Sequence, residues 1–447
     1  MIVGKDGDRH LKIIRTLLGL GLILALLLSA CESLPFDIPW LSDATPTATL
    51  PPGDTGDLTP TPATTTTVEA TPEPVTSLTL WVPPEMDPAL ETDASLLFAN
   101  QLQLFSDLHD GLEINVRVKA ASGPGGLLDA LTATSAAAPD ALPDLIALSR
   151  PDLETAALKS LIYPLERLTE IPDDADWYGF TREMALLQGS TFGLPFAADA
   201  LVLVYRPMTI PEIPGTWESL IAGNTPLAFP ADSDQALFTL ALYQAEGGAI
   251  QDNQRRPVLE VDPLSEVYRL YQEGVEIGII PSWLNQYQTA GQVWSAFREG
   301  QINLVITWLS NYLKELPADS SMTPLLPMSA GAVSLGTGMS WAVAAPEEYR
   351  HPIAVELAEF LIQPDFLAKW TATAGYLPPR PSALEGWEDQ GLRTTTSQVA
   401  VMTQLRPSND LIASLGPILR EGTRQILQNL VDPVQAAQVA VESLEEQ

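Results

Sequence analysis

Cysteine and histidine, the side chains that most often serve as thiol nucleophiles, zinc ligands and general bases near neutral pH, are scarce in this sequence. The 447 residues include one cysteine, Cys31, and three histidines, of which His10 lies near the N-terminus. A zinc cluster of cysteine and histidine ligands cannot be built from this set. A serine–histidine–aspartate triad would have to use His109, before a predicted strand, or His351, at a predicted helix start, and both are expected to be solvated. We therefore predict no metal site, no cofactor and no catalytic residue.

Charge and glycine spacing exclude further chemistries. The chain has 56 acidic and 23 basic residues, a formal net charge of −33, which disfavours a nucleic-acid partner. No phosphate-binding glycine motif is found, and the glycines of Ser122–Gly126 have the spacing of a turn. Paired carboxylates remain available in so acidic a chain, so a glycoside hydrolase stays open as an alternative.

The single cysteine follows a short apolar segment. Four basic residues precede an uncharged run of 15 residues, Thr16–Ala30, which is shorter than the roughly 20 residues of a membrane-spanning helix and typical of a signal peptide. The sequence Leu28–Cys31 resembles the lipobox of bacterial lipoproteins, which implies cleavage before Cys31 and a lipid on its thiol. An uncleaved membrane anchor is the alternative. Either arrangement tethers the chain to the cell membrane, facing the extracellular or periplasmic side.

The next segment is rich in threonine and proline. It contains TPATTTTVEATPEPVT and has no apolar periodicity, so it cannot bury enough surface to offset the entropy of ordering. We predict residues 1–30 as a signal peptide and residues 31–76 as a disordered linker that holds a globular body away from the membrane.

The body of the chain begins with alternating strands and helices. SLTLWV and GLEINVRVKA alternate apolar and polar residues, and PDLIALS is a short apolar strand, with helical patterns between them. This β-α-β-α-β order predicts a parallel sheet with helices on both faces. Ligands bind at the carboxyl ends of such strands, which here hold Trp81 and Ser149. Trp81 at that place could be a ligand platform or part of the core.

Several segments, in order, resemble extracellular solute-binding proteins of the maltodextrin-binding type, which deliver sugars to ABC importers. The resemblance spans about 77–447 and rests on these stretches: LPDLIALSRPDLETAALKSLIYPLERL, GSTFGLPFAADALVLVYRP, PGTWESL, FREGQINLVITWLSNYL, GTGMSWAVAA and AGYLPPRPSAL. It implies an α/β fold of the two-lobed periplasmic-binding-protein type (type II), each lobe a mostly parallel sheet flanked by helices. The implied lobes are 77–198 plus 338–375 and 199–337 plus 376–447.

The resemblance also implies where a ligand would bind. Trp308 ends a strand where the family has a stacking aromatic, and Asp199 stands at the first crossing between lobes. These candidates have alternatives: Trp308, Trp341 and Tyr376 could instead be core residues, Asp199 a surface acid beside the hinge, and Asp232 a helix N-cap. The predicted ligand-binding set is Trp81, Ser149, Asp199, Asp232, Trp308, Trp341 and Tyr376.

These features predict a monomeric binding protein rather than an enzyme. It would capture a small solute, with a carbohydrate expected, and deliver it to the permease subunits of an ABC importer. A ligand-sensing module for a membrane sensor and a lipid-anchored glycoside hydrolase are the alternatives. Tyr205-Arg206 departs from the Tyr-Asn of the family, so a short or polar ligand fits as well as a long oligosaccharide.

Overall fold

A computed structural model describes residues 74–223 and 225–446. The predicted signal peptide, Cys31 and nearly all of the predicted linker lie outside the described residues. The strands are β1 (Ser77–Val82), β2 (Glu113–Val118), β3 (Leu145–Ser149), β4 (Leu186–Leu187), β5 (Ser190–Thr191), β6 (Leu194–Tyr205), β7 (Leu227–Ala228), β8 (Leu304–Trp308), β9 (Ser321–Thr323), β10 (Ser334–Val343) and β11 (Thr403–Leu405). The helices are α1 (Asp93–Leu108), α2 (Leu127–Ala137), α3 (Arg150–Leu158), α4 (Gly179–Ala185), α5 (Trp217–Ile221), α6 (Leu237–Ala245), α7 (Val261–Glu276), α8 (Ala290–Arg298), α9 (Leu309–Leu313), α10 (His351–Phe360), α11 (Pro364–Ala374), α12 (Pro381–Glu385), α13 (Gln390–Met402), α14 (Asn409–Leu427) and α15 (Pro433–Glu445).

The first three strands form the predicted parallel unit. β1 pairs in parallel with β2 on one side and with β3 on the other. Alternate residues of β1 face opposite sides of the sheet, so Leu78 and Leu80 contact one apolar core while Trp81 enters a second. On the first of these faces lies α1, which buries Phe98 and Phe105. We call β1–β3 and the helices packed on them the first lobe.

Two long strands continue this sheet into a second set of elements. The main order of the sheet is β2-β1-β3-β10-β6-β8-β7, with β11 paired to β10 and β9 paired to β6, so β6 and β10 lie in the middle of the sheet. β6 pairs antiparallel with β10 through Leu194–Ala200 and antiparallel with β8 through Leu201–Tyr205. The first half of β6 therefore pairs next to the first lobe, and its second half pairs with β8 in a second group of elements.

The second group has its own core. β7 and β8 are parallel, and Phe229, Phe238, Tyr268 and Tyr271 are buried among α6, α7, α14 and α15. Inside this core the Thr239 hydroxyl lies within hydrogen-bonding distance of the Tyr271 hydroxyl, at 3.0 Å. We call β7, β8 and the helices around them the second lobe. The α/β two-lobed fold is thus as predicted, with antiparallel pairing confined to the central strands and the short β4–β5 and β9 pairings.

Some local predictions differ from the structure. The sequence pattern at the end of the chain predicts a helix over about 418–430, but this helix, α14, begins earlier, at Asn409, where the Ser408 side chain accepts a hydrogen bond from a backbone N–H and caps it. His351 was expected to be solvated but is 6% exposed, with Nε2 2.8 Å from the Ala345 carbonyl oxygen. The spacing of Leu108 from Phe98 and Phe105 predicts that it shares their buried face of α1, but Leu108 is 70% exposed. Among the described residues, no helix has the length and apolar composition needed to cross a membrane.

Candidate functional site

The carboxyl ends of the parallel strands carry the candidate site. In the first lobe, β1 leads into the turn Pro84–Met86 and β3 ends at Ser149. In the second lobe, β8 ends at Trp308, and β7 leads into the loop that contains Asp232. Ends of neighbouring parallel strands lie along one edge of a sheet, so each lobe presents its candidate residues on such an edge.

Asp199 and Trp308 are brought together by the pairing of β6 with β8. Leu201 lies opposite Trp308 in the register, and α9 follows directly after Trp308. The backbone N–H of Ser310, in the first turn of α9, donates to Asp199 Oδ1 at 2.9 Å, and the Ser310 hydroxyl donates to Oδ2. A further bond comes to Oδ1 from the Ala200 N–H, at 2.9 Å. The carboxyl group thus joins the crossing strand to the strand end that carries the tryptophan.

The environment of Asp199 changes its acidity. Burial is the largest effect and raises the pKa of Asp199 to about 6, although the hydrogen bonds from Ser310 and Ala200 and the charge of Lys314 act in the opposite direction. The residue is 9% exposed. Asp199 is therefore a buried acid beside the crossing, and not the surface acid of the alternative interpretation.

Tyr376 links the two lobes. Lys314 Nζ, which follows α9 in the second lobe, donates to the Tyr376 hydroxyl at 3.0 Å, and this hydroxyl donates to Glu85 Oε1 of the first lobe at 3.3 Å. Burial, with the nearby negative charges of Glu85 and Asp199, raises the pKa of Tyr376 above its ordinary value, so its proton remains in place. Gly375 permits this close approach, because its φ is +72° and an added Cβ would lie 2.7 Å from the Lys314 backbone nitrogen.

Ser149 and Asp232 lie farther along the two edges. The Ser149 hydroxyl caps α3, accepting from the Asp152 N–H at 3.3 Å and donating to Asp152 Oδ2 at 2.8 Å. Asp232 is not a helix N-cap, since α6 begins at Leu237 after Ala236. Its side chain instead accepts a hydrogen bond of 3.2 Å from the Gln288 side chain.

Trp81 and Trp341 lie in the core and are not at the site. Trp81 is 2% exposed and Trp341 is 1% exposed. Trp341 stacks on Phe196 with 4.6 Å between ring centroids. Both tryptophans stand inside strands whose two faces are covered by helices, whereas Trp308 is the last residue of its strand and is only partly buried. The prediction of a ligand platform at Trp81 or Trp341 therefore does not agree with their position.

A polar cluster that the sequence did not reveal lies at the start of α3. It consists of Arg150, Glu154, Arg406 and Asn409, and we call it the arginine cluster. Arg150 Nη1 is 3.4 Å from Glu154 Oε2, Asn409 N–H donates to Glu154 Oε1 at 2.9 Å, and Arg406 Nη1 donates to Asn409 Oδ1 at 3.0 Å. The only sequence signal was the spacing of four between Arg150 and Glu154, which places them on one face of a helix.

The site also lacks certain groups. Within residues 74–223 and 225–446, no group of three or more histidine, cysteine, aspartate or glutamate side chains is arranged to hold a metal ion.

Glu85 and Lys314 were missed because they become neighbours of Tyr376 only in the folded chain. The position of Glu85, three residues beyond β1, was the available signal.

The fold and this edge of polar and aromatic residues define the class: a two-lobed solute-binding protein of the type II periplasmic-binding-protein architecture. The chain belongs to the family of bacterial extracellular solute-binding proteins, whose profile matches residues 104–395, more than half of its length. The family is one of binding proteins and not of enzymes, as predicted, and it places the chain outside the cytoplasm.

Known proteins give the same assignment of fold. A cyclo/maltodextrin-binding protein solved with maltotetraose has a TM-score of 0.68 and 19% identity, covering 83% of this chain and 97% of its own. The sugar-binding protein of Xanthomonas citri has a TM-score of 0.67 and 18% identity, covering 83% and 96%. A protein of Brucella abortus (strain 2308) described as a binding protein is 24% identical over 220 residues, 43% of this chain and 52% of the relative. The chain thus spans about half the length of the curated relatives it matches.

Proposed function

We propose that the chain captures a small carbohydrate between its two lobes and delivers it to the permease subunits of an ABC importer. The observation that carries this proposal is the junction of the lobes. There, β6 and β10 pass between two separately packed cores, and Asp199, Trp308 and Tyr376 stand where they cross.

The chemistry of these side chains suits a sugar. An aromatic ring such as that of Trp308 covers the C–H face of a pyranose, while charged and hydroxyl groups bind its hydroxyls. Glu85 and Lys314 are exposed at the two sides of Tyr376, so one can accept and the other can donate hydrogen bonds. The structural neighbour that holds maltotetraose supports a carbohydrate as the ligand class.

The central strands supply a hinge for capture. The first lobe is proposed as 77–198 plus 338–375 and the second as 199–337 plus 376–447, so the chain crosses between them near Asp199, near Gly338 and near Tyr376. A ligand that contacts both lobes binds the closed arrangement more tightly and shifts the population toward it. The transporter then distinguishes the loaded from the empty receptor by this shape.

The N-terminal region is proposed to attach the receptor to the membrane. Residues 1–30 would be removed as a signal peptide, Cys31 would carry the lipid, and residues 31–76 would act as the spacer. The loaded receptor would then diffuse along the membrane as a monomer until it meets its permease.

Binding can be tested by calorimetry and tryptophan fluorescence against a panel of neutral and acidic saccharides. We expect Trp308→Ala to weaken binding of the selected sugar at least about tenfold, about 1.4 kcal/mol, with little change in stability. Trp81→Phe is the matched core control and should lower stability while keeping affinity. Equal affinities for Trp308→Ala and the native chain would contradict the assignment of this ring to the site.

Transport is tested in cells of the source bacterium. Deleting the gene should abolish uptake of the labelled sugar, and the native chain should restore it. Uptake that persists while a transcriptional response to the sugar is lost would instead favour the sensing alternative. Recovery of cleaved sugar after incubation with the purified protein would contradict the assignment as a binding protein.

A further inference from the structure

The arginine cluster holds two positive charges against one negative charge in a buried place. Arg150 is 7% exposed, Arg406 is 5% exposed and Glu154 is 5% exposed. The chain as a whole carries a formal charge of −33, so this buried group, with one more positive than negative charge, has the opposite sign to the whole chain. Burial lowers the pKa of both arginines, and repulsion from Arg150 lowers that of Arg406 further, while Glu154 opposes these effects.

Hydrogen bonding inside the cluster is incomplete. Arg150 Nε and Arg406 Nε are buried and have no hydrogen-bond partner in the protein, while Arg150 Nη1 and Glu154 Oε2 face each other at 3.4 Å without forming a hydrogen bond. Glu154 meets Asn409 through its other oxygen and approaches Arg150 only at 3.4 Å. Buried charged donors without acceptors cost free energy. An anionic hydrogen-bond acceptor would both balance the excess positive charge and accept from the unpaired N–H donors.

The location of the cluster connects it to the junction of the lobes. Arg150 follows Ser149, which pairs with Met339 of β10, and the Arg406 N–H donates to the Gly336 carbonyl of the same strand at 2.8 Å. Thr337, between these two points, pairs with Asp199. Arg150 belongs to the first lobe, and Arg406, between β11 and α14, belongs to the second.

We infer that the arginine cluster is a subsite for an oxyanion of the ligand, a carboxylate or a phosphate, so that the transported solute is an acidic saccharide or a sugar phosphate. The inference rests on the proposed function and specifies its substrate class. Guanidinium groups bind such anions through paired N–H donors.

The experiment measures affinity by calorimetry with the full chain in detergent. The probes are digalacturonate, its neutral methyl ester and glucose 6-phosphate, so that carboxylate, matched neutral sugar and phosphate are compared. We expect at least one anionic probe to bind at least about tenfold more tightly than the neutral ester, with the difference shrinking as salt increases. Binding of the ester as tight as, or tighter than, that of both anionic probes overturns the inference but leaves the proposed function intact.

Two variants separate recognition from structure. Arg406→Gln should weaken binding of the anionic probe at least about tenfold while leaving the affinity for the ester unchanged. Glu154→Gln keeps an oxygen that can accept from the Asn409 N–H but removes the negative charge. It should therefore tighten binding of the anionic probe. Arg424→Gln, on the exposed part of α14, is the matched control and should change neither. A purely structural cluster predicts no gain from Glu154→Gln, and that result would overturn the inference. If none of the native and variant proteins binds any saccharide, the proposed function itself fails.

Discussion

Replacing the buried acid at the crossing offers a sharp test of the site, because its ionisation opposes folding. In the Asp199→Asn variant, the side-chain oxygen can still accept from the N–H groups of Ser310 and Ala200, and the amide can donate to the Ser310 hydroxyl. The substitution thus preserves the three contacts of the side chain while removing its titration.

The expected size of the effect follows from the two states of the chain. The pKa of Asp199 is about 6 in the folded protein, against 3.8 as the ordinary value. Since the folded pKa is raised, the folded state holds the proton more tightly than the unfolded state, and stability falls as pH rises from about 4 to about 6. Above that range the full penalty, about 3 kcal/mol at about 1.4 kcal/mol per pH unit, is present.

Urea unfolding measured between about pH 4 and pH 7.5 gives the required comparison. The free energy of unfolding of the native chain, relative to Asp199→Asn, should decrease by about 2.5 kcal/mol across this interval, because a small part of the penalty is already present at about pH 4. Asp110→Asn, at an exposed position, serves as the control and should run parallel to the native chain. If the difference in free energy of unfolding between the native chain and Asp199→Asn stays constant with pH, ionisation of the carboxyl group has no cost in the folded state. That result would refute the effect of burial on Asp199 at the crossing.

Three further predictions concern the link between the lobes and the anchor. Gly375→Ala should destabilise the chain by about 1–3 kcal/mol, because φ is positive and the new methyl group meets the Lys314 backbone. Gly111→Ala is the control: its φ is +78° and the space around it is open, so it should lower the free energy of unfolding by less in the same urea assay. Tyr376→Phe should lower stability by about 0.5–1.5 kcal/mol and weaken sugar binding, because the hydroxyl bonded to Lys314 is lost; unchanged calorimetric and unfolding data would contradict the bridging role. Cys31→Ser should release the protein from membranes in a fractionation experiment, and persistent sedimentation with the membranes would favour an uncleaved anchor.

The sequence predicted the parts of the fold that depend on local pattern. The alternation in β1 and β2 and the apolar run of β3 gave the parallel unit, because period and turn chemistry are readable along a single segment. The contacts of Tyr376 with Glu85 were not predicted, since the two residues are 291 positions apart. Nothing local indicates that one hydroxyl will stand between two lobes.

The tryptophans illustrate the same limit at the site. Trp81 and Trp308 both stand near strand ends, and sequence alone could not separate them. The difference arises from what covers each ring: Trp81 is one residue short of its strand end and faces helices, whereas Trp308 is the last residue before α9. Arg150 was similarly hidden, because its burial depends on α14, which lies more than 250 residues later in the chain.

The place of β10 in the sheet has a consequence for how the chain is made. β10 covers the edge of β3 by pairing Leu145–Ser149 with Met339–Val343, yet it follows β3 by nearly 200 residues in order of synthesis. During synthesis, which proceeds from the N-terminus, β3 therefore presents an unpaired, apolar edge until β10 has been made. Such an edge is a recognised cause of aggregation. A product truncated before β10 would keep this unpaired edge permanently.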